Sequence, residues 1–321
     1  MSELVNVENL KMYYETIRGY VKAVDDVSFK MNQKDAIGLA GESGCGKTSV
    51  AFSILRLLPS NAKIVDGRIM FEGTDLVKMS AKKFQQDIRW RKISVIFQGA
   101  MNALHPTMSI GNQIAESITA HEKVGKKEAL ERAGKLLDLV GIGASRADRF
   151  PHELSGGMKQ RTITAMSLSC NPDLIIADEP TTALDVIIQA QVLKVMKELR
   201  DKLSLSMILI SHDLSIIAET CNKCAIMYAG KIVEQGDIIH IFKEALHPYT
   251  RKLIEAFPSV LGRKTELSAI HGFPPDLLNP PPGCRFHPRC QQAMEICRAE
   301  EPAIVQIGKK EHYVACHLIS G

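Results

Sequence analysis

The sequence predicts an α/β fold in which a mostly parallel sheet is covered by helices and interrupted by a helical insertion. Three observations predict it. The apolar strand candidate Ala36–Ala40 runs directly into a glycine-rich stretch and then a helical one. From about residue 99 to 167 the apolar spacing becomes helical, and from about 168 to 236 apolar strands and helices alternate. At 321 residues the chain has room for about two domains.

In chain order, Val24–Phe29, Ala36–Ala40 and Gly67–Gly73 read as short strands among turns, the last bounded by glycines. Ile93–Phe97 is an apolar run short enough for a buried strand. Ile110, Ile114 and Ile118 recur every four residues, and Leu130, Ala133, Leu137 and Val140 fit a second helix. Leu174–Ala177 then reads as a strand, followed by a long helix with Val192, Val195, Leu199 and Leu203 on one face and by the strand Met207–Ile210. Beyond about residue 237, Pro274-Pro275, Pro280-Pro281-Pro282 and Gly283 mark a turn-rich, extended segment. The expected organisation is a core in two parts (1–98 and 168–236), a helical subdomain between them (99–167) and a C-terminal extension (237–321).

Composition narrows the function. A formal charge of +4 is too small and too dispersed to argue for nucleic acid. No apolar run approaches the roughly 18 residues needed to cross a bilayer, and Met1-Ser2-Glu3-Leu4-Val5 has no basic signal-peptide head. The expectation is a cytosolic chain whose membrane role, if any, comes through a partner. Eight cysteines in such a chain are not expected to form structural disulfides. Cys221 and Cys224 read as core, since Cys224 opens the apolar run Ala225–Tyr228.

The chemistry is carried by short motifs. Gly41-Glu42-Ser43-Gly44-Cys45-Gly46-Lys47-Thr48 matches G-x-x-x-x-G-K-[ST], with a strand before it and the helical Ser49–Leu55 after it. Glycines let backbone N–H groups wrap phosphates, Lys47 reaches the β/γ oxygens and Thr48 ligates Mg²⁺. Cys45 reads as a small filler whose place at a helix start would favour alkylation. The apolar run Leu174–Ala177 ends in Asp178-Glu179, where Asp178 suits a metal and Glu179 could orient and polarise an attacking water. His212 ends a third strand and could contact a γ-phosphate, and Gln98 could contact Mg²⁺ or water. Between these, Ser155-Gly156-Gly157 heads a polar helix. Unpaired N–H groups and the helix dipole make that start a second anion-binding surface, which implies a nucleotide held between two copies of the domain.

These motifs, in this order, resemble the ATP-binding subunits of ABC transporters over nearly the whole chain. The resemblance implies a P-loop NTPase with a RecA-like core, an ABC β-subdomain, the inserted α-helical subdomain and a small Cys-rich C-terminal extension. It identifies Gln98 with the Gln loop, Leu154–Gly157 with the signature, Ala183-Leu184-Asp185 with the D-loop and His212 with the switch histidine. It implies ATP and Mg²⁺ as cofactors, with Gly41, Ser43, Gly44, Cys45, Gly46, Lys47, Thr48 and Ser49 around the phosphates. Thr48, Gln98 and Asp178 would hold the metal, and Glu179, His212, Gln98 and Lys47 would serve hydrolysis. Each ATP would lie between one subunit's loop and the Ser155, Gly156 and Gly157 of another, with Asp185 beside it. An aromatic should stack on adenine; Tyr14 aligns best, with Tyr13 and Tyr20 as alternatives. Met158 departs from the Gln common after Ser-Gly-Gly, as in the peptide-importer branch, and Gly99 stands where that branch often has an acid.

The tail carries Cys284-x5-Cys290-x6-Cys297-x18-Cys316 in a Pro-rich segment with little apolar content. A metal would stabilise such a segment, yet the spacing is wider than zinc pairs prefer. Four thiolates also suit an iron–sulfur cluster, and four unliganded cysteines are the plain alternative. His247 through Cys290 resembles the C-terminal extension of oligopeptide/dipeptide importer ATPases, some of which carry a [4Fe-4S] cluster, which favours that over Zn²⁺. His287, His312 and His317 read as surface or supporting groups.

The resemblance implies an ATPase (ATP and water to ADP and phosphate) of a di- or oligopeptide importer, or of a nickel or glutathione importer of the same branch. Its implied partners are a second ABC ATPase subunit, as a paralogous heterodimer or a homodimer, two permease subunits and, indirectly, an extracytoplasmic solute-binding protein. Nucleic acid is not among them, and the implied location is the cytoplasmic face of the cell membrane. A soluble ABC ATPase without transport, or a metal-sensing module with incidental ATPase, are the readings of other classes.

Overall fold

The computed structural model describes residues 2–182, 184–256 and 270–320. The first half of the chain forms β1 (Glu3–Thr16), β2 (Gly19–Asn32), β3 (Ala36–Ala40), α1 (Lys47–Leu55), β4 (Ala62–Phe71), β5 (Thr74–Asp75), α2 (Ala81–Lys83), β6 (Ile93–Ile96), α3 (Ile110–His121), α4 (Lys126–Leu139) and α5 (Gly156–Ser167). Then come β7 (Leu174–Asp178), α6 (Val186–Leu203), β8 (Ser206–Ile210), α7 (Leu214–Thr220), β9 (Lys223–Tyr228), β10 (Lys231–Asp237), α8 (Ile238–Lys243) and α9 (Pro248–Glu255). The tail adds α10 (Ile296–Ala299), β11 (Ile304–Gln306), β12 (His312–Ala315) and α11 (His317–Ser320). Among the described residues no helix is long and apolar enough to cross a membrane.

These elements fall into two compact units. One holds residues 2–32 and 36–77 with the described residues from 210 onward. Its first sheet runs β2-β1-β4-β5. Only Ile17 and Arg18 separate β1 from β2, a link that permits only an antiparallel hairpin. β1 is a strand the sequence does not announce. Its register shifts between Val7 and Leu10 and again between Leu10 and Met12, so the inward set Val5, Val7, Leu10 and Met12 breaks the period of two. The second sheet of this unit runs β11-β12-β10-β9-β3. Only β3 and β9 pair in parallel there; β9 with β10, β10 with β12 and β11 with β12 are antiparallel. The strands this unit adds beyond the parallel β3–β9 pair are antiparallel: β10 returns from β9 through Ala229 and Gly230 alone, and the tail contributes β11 and β12.

The other unit holds residues 33–35 and 78–209. β6 and β7 pair in parallel from Ile93↔Leu174 to Ile96↔Ala177, and β8 is the next strand beyond β7. Every residue of β6 and β7 is buried, the pattern of strands covered on both faces. Ile110, Ile114 and Ile118 form the fully buried stripe of α3, as their spacing predicts. Two helix faces depart from expectation in part. In α4 Ala133 and Leu137, with Val140 at its C-terminal cap, are buried as expected, but Ala129 is buried where Leu130 is half-buried. In α6 the buried set is Val192, Leu193, Met196 and Leu199, with Val195 half-buried and Leu203 exposed.

Candidate functional site

The first unit contains the phosphate loop. α1 starts at Lys47, and its N-cap, Gly46, lies at φ 106, in the left-handed region open to glycine. A Cβ there would meet the Ala23 carbonyl oxygen at 2.1 Å, so the strand behind the loop admits only glycine. The cap makes no side-chain hydrogen bond, and a helix start of this kind is suited to receive an anion. Lys47 is buried, with Nζ donating to the carbonyls of Gly41 at 2.7 Å and Glu42 at 3.0 Å, so its ammonium closes the loop from inside. Thr48 and Ser49 follow on α1, and Ser43 and Gly44 form the turn between. Tyr14 Oη lies 3.2 Å from Ser49 Oγ, which sets this tyrosine beside the phosphate-loop helix. Tyr13 is engaged elsewhere, its hydroxyl donating to Asp25 at 2.7 Å, and Tyr20 stands under the Lys63 ammonium at 4.8 Å. His212 is exposed just after β8.

Cys45 is the small buried filler its context predicts. It is 4% exposed, and burial pushes its thiol up, with the Lys47 charge pulling the other way. A buried thiol is a poor nucleophile, which argues against the alkylation that its place at a helix start suggested. Cys221 and Cys224 are buried core, as their context predicts.

The second unit contains the acidic strand end, the glutamine and the glycine helix. β7 delivers Asp178 buried at its end. Glu179 follows at φ 46, a left-handed conformation that glutamate adopts only under constraint. That twist turns its carboxylate toward Gln98, whose Nε2 donates to Glu179 Oε2 at 2.9 Å, while Thr182 Oγ1 donates to the same oxygen at 3.1 Å. The pair expected to handle water is thus joined directly. Ser155 caps α5, its hydroxyl accepting from Met158 N at 3.3 Å, and Ser155 and Gly156 are exposed. Gly157 is buried: a Cβ there would lie 2.6 Å from Ile188 Cγ2, so α6 packs directly on the helix backbone. Asp185 caps α6 by accepting from Ile188 N at 2.9 Å. Ala183 of the expected D-loop lies outside the described residues, as does the 257–269 part of the extension.

In the tail none of the four cysteines is in a disulfide. Burial is the first cause that raises the Cys284, Cys290 and Cys316 thiols, and the other tail sulfurs add to it; Cys284 is pushed up to about 11. The four therefore share one electrostatic neighbourhood. Among the described residues, however, no group of three or more His, Cys, Asp or Glu side chains is arranged to hold a metal ion. Backbone bonds fix the local turns instead: Cys284 N donates to Cys297 O at 2.9 Å, and Met294 N to Cys297 Sγ at 3.5 Å. The cysteines as placed do not fit a [4Fe-4S] cluster or Zn²⁺, which corrects the sequence expectation of a ready-made metal site. His312 also departs from expectation. It is buried, and its Nε2 meets the buried Glu234 carboxylate at 2.7 Å. His287 and His317 make local contacts with the carbonyls of Cys284 and Glu300.

Four residues near the loop give little sequence signal. Arg285, 260 residues from Asp25 in the chain, forms a buried ion pair with it. Arg289, 247 residues from Glu42, holds that carboxylate with two hydrogen bonds. Tyr249 and His247 support the same turn. Only Glu42 offered a hint, since a carboxylate inside a phosphate loop calls for a countercharge.

A complete phosphate loop in one unit, with an acid-tipped parallel strand and a capped Ser-Gly-Gly helix in the other, defines a P-loop nucleotide-binding protein. Residues 24–182 match the ABC transporter family, and residues 233–297 match the oligopeptide/dipeptide transporter C-terminal region. The dipeptide transport ATP-binding protein DppD of Bacillus subtilis (strain 168) is 44% identical over 321 residues, 99% of this chain and 95% of that protein. The oligopeptide transport ATP-binding protein OppD of the same organism is 44% identical over 323 residues, covering 99% and 90%. Among solved structures, cbiO1 from Clostridium perfringens, part of an ABC transporter complex, superposes with a TM-score of 0.67 at 24% identity over 76% of this chain and 93% of that one. A post-hydrolysis ATP-binding cassette dimer bound to ADP and Pi gives 0.65 at 22% identity over 73% and 99%. These two establish the cassette fold. The chain belongs to the ATP-binding subunits of ABC transporters, in their oligopeptide/dipeptide branch.

Proposed function

We propose that this chain hydrolyses ATP to ADP and phosphate to drive uptake of di- or oligopeptides, working as a peripheral subunit on the cytoplasmic face of the membrane. The observation that carries the reading is full-length similarity to dipeptide and oligopeptide transport ATP-binding proteins, tail included. Its partners are a second ATPase subunit, two permeases and, through them, a solute-binding protein. Lys47 and the loop amides bind the phosphates and Tyr14 stacks on adenine. Thr48, Gln98 and Asp178 would each offer Mg²⁺ an oxygen, the donor it prefers, and Asp178 is a buried carboxylate at a strand end. Mg²⁺ held by these residues would offset the negative charge of the phosphates. Glu179 accepts the proton of the attacking water, Gln98 orients that carboxylate, and His212 contacts the γ-phosphate. Ser155, Gly156 and Gly157, with Asp185, serve the ATP held by the partner subunit's loop.

The test pairs peptide uptake with ATP turnover in the assembled transporter. Glu179→Gln should lower turnover by about 10²–10⁴-fold, the range for a lost general base, with ATP binding kept and labelled-peptide uptake lost in step. Near-native turnover in that variant refutes the assignment of the base.

A further inference from the structure

Glu42 puts a carboxylate inside the loop that has to receive a polyphosphate, and the tail answers that charge. Arg289 Nη1 and Nη2 donate to Glu42 Oε2 and Oε1 at 2.6 and 3.0 Å, the forked geometry of a bidentate pair. The Arg289 side chain is only 5% exposed. It also donates to the carbonyls of His271 at 2.9 Å and Ile270 at 3.2 Å and to Tyr228 Oη at 3.3 Å. The backbone of Glu42 is held too, its N–H donating to the Oη of fully buried Tyr249 at 2.9 Å. At the other end of the same short tail turn, Arg285 pairs with Asp25 and donates to Ala229 O at 2.5 Å. The next residue, Gly230, donates its N–H to Cys45 O at 2.9 Å, so this second arm also ends on the loop.

We propose that Arg289 is a positioning residue for ATP binding, neutralising and orienting Glu42 so that the C-terminal extension sets the nucleotide affinity of the phosphate loop. The proposal rests on reading Gly41–Thr48 as the ATP site. Without Arg289, Glu42 keeps its charge, repels the incoming phosphates and competes for Lys47, whose Nζ already bonds the Glu42 carbonyl. Lysine cannot replace the fork, because it offers one compact charge where two parallel bonds are made.

The test uses the purified full-length chain, with ATP Kd measured by calorimetry and KM and kcat measured in parallel. R289A should raise Kd and KM by about tenfold, the scale of one charge-assisted contact, with kcat at saturating ATP within about twofold. R289K should recover part of the loss. In R289A/E42Q the unanswered carboxylate is gone, and Kd should return to within about threefold of native. Equal weakening in R289A and R289A/E42Q overturns the proposal, since Arg289 would then act only by holding the tail together. Should R289A not fold, R289K against R289K/E42Q gives the same comparison with a smaller loss. A native chain that binds no ATP overturns the ATP reading along with the proposal, and is told apart because no variant is needed to see it.

Discussion

Two helix starts in this protein carry the proposed nucleotide contacts, and they are held in opposite ways. The head of α1 is enclosed: Gly46 is locked against the Ala23 carbonyl, Lys47 is buried, and Glu42 and Cys45 are bonded from the tail and from Gly230. The head of α5 is open, with Ser155 and Gly156 exposed and one 3.3 Å cap bond from Met158 N to Ser155 Oγ. The difference teaches a division of labour. A loop that grips its own ATP needs its shape fixed from every side, because each backbone N–H must already point at the phosphates. A segment offered to another subunit's nucleotide needs only a rigid helix behind it and a clear face in front.

Substitutions separate the two modes. The largest effect should come from the enclosed side. Arg285→Ala leaves Asp25 buried without its cation and should destabilise the first unit by about 3–5 kcal/mol, measured by chemical unfolding. The same pair sets a pH signature. Burial alone would raise the Asp25 carboxyl, but the Tyr13 hydrogen bond and the Arg285 charge outweigh it and hold the group below its ordinary value. A lowered carboxyl contributes stability that is complete above its unfolded value of about 4 and is lost as pH falls through the folded one. The native chain should therefore lose stability more steeply than Arg285→Ala over that acid range.

Behind the open segment, Gly157→Ala forces a methyl against Ile188 and should cost about 1–3 kcal/mol, the range for overpacking. A stability loss in that variant as large as in Arg285→Ala would break the contrast. The smallest effect is at the exposed cap, where Ser155→Ala should cost about 1 kcal/mol in a thermal or chemical melt. That substitution should still reduce ATP turnover well beyond what the stability loss explains.

The sequence made the local parts of this protein legible. A strand, a G-x-x-x-x-G-K-[ST] loop and a helix occupy adjacent positions, so the loop shows in one window; the same holds for Asp178-Glu179 on β7 and the Ile110, Ile114, Ile118 stripe. What stayed hidden depends on distance along the chain or on broken periodicity. The Arg285–Asp25 and Arg289–Glu42 pairs join segments that no local pattern links. His312 looked like a surface group until β12 paired with β10 and carried it onto Glu234. β1 escaped because its register shifts scramble the alternation that would mark it. The cysteine tail shows the reverse error: a suggestive spacing of thiols implied a ready-made metal site, which the fold does not assemble.

The most direct test of the open-versus-enclosed account is Gly156→Asp, with ATP affinity and steady-state hydrolysis measured on the same preparation. Gly156 is exposed, and its nearest neighbour for an added Cβ is the flexible end of Leu184 at 3.2 Å, so the helix should keep its fold. The account predicts near-native ATP binding at the phosphate loop and hydrolysis reduced to background, because a carboxylate now faces the partner subunit's γ-phosphate. Binding lost in proportion to hydrolysis, or hydrolysis left intact, would contradict it.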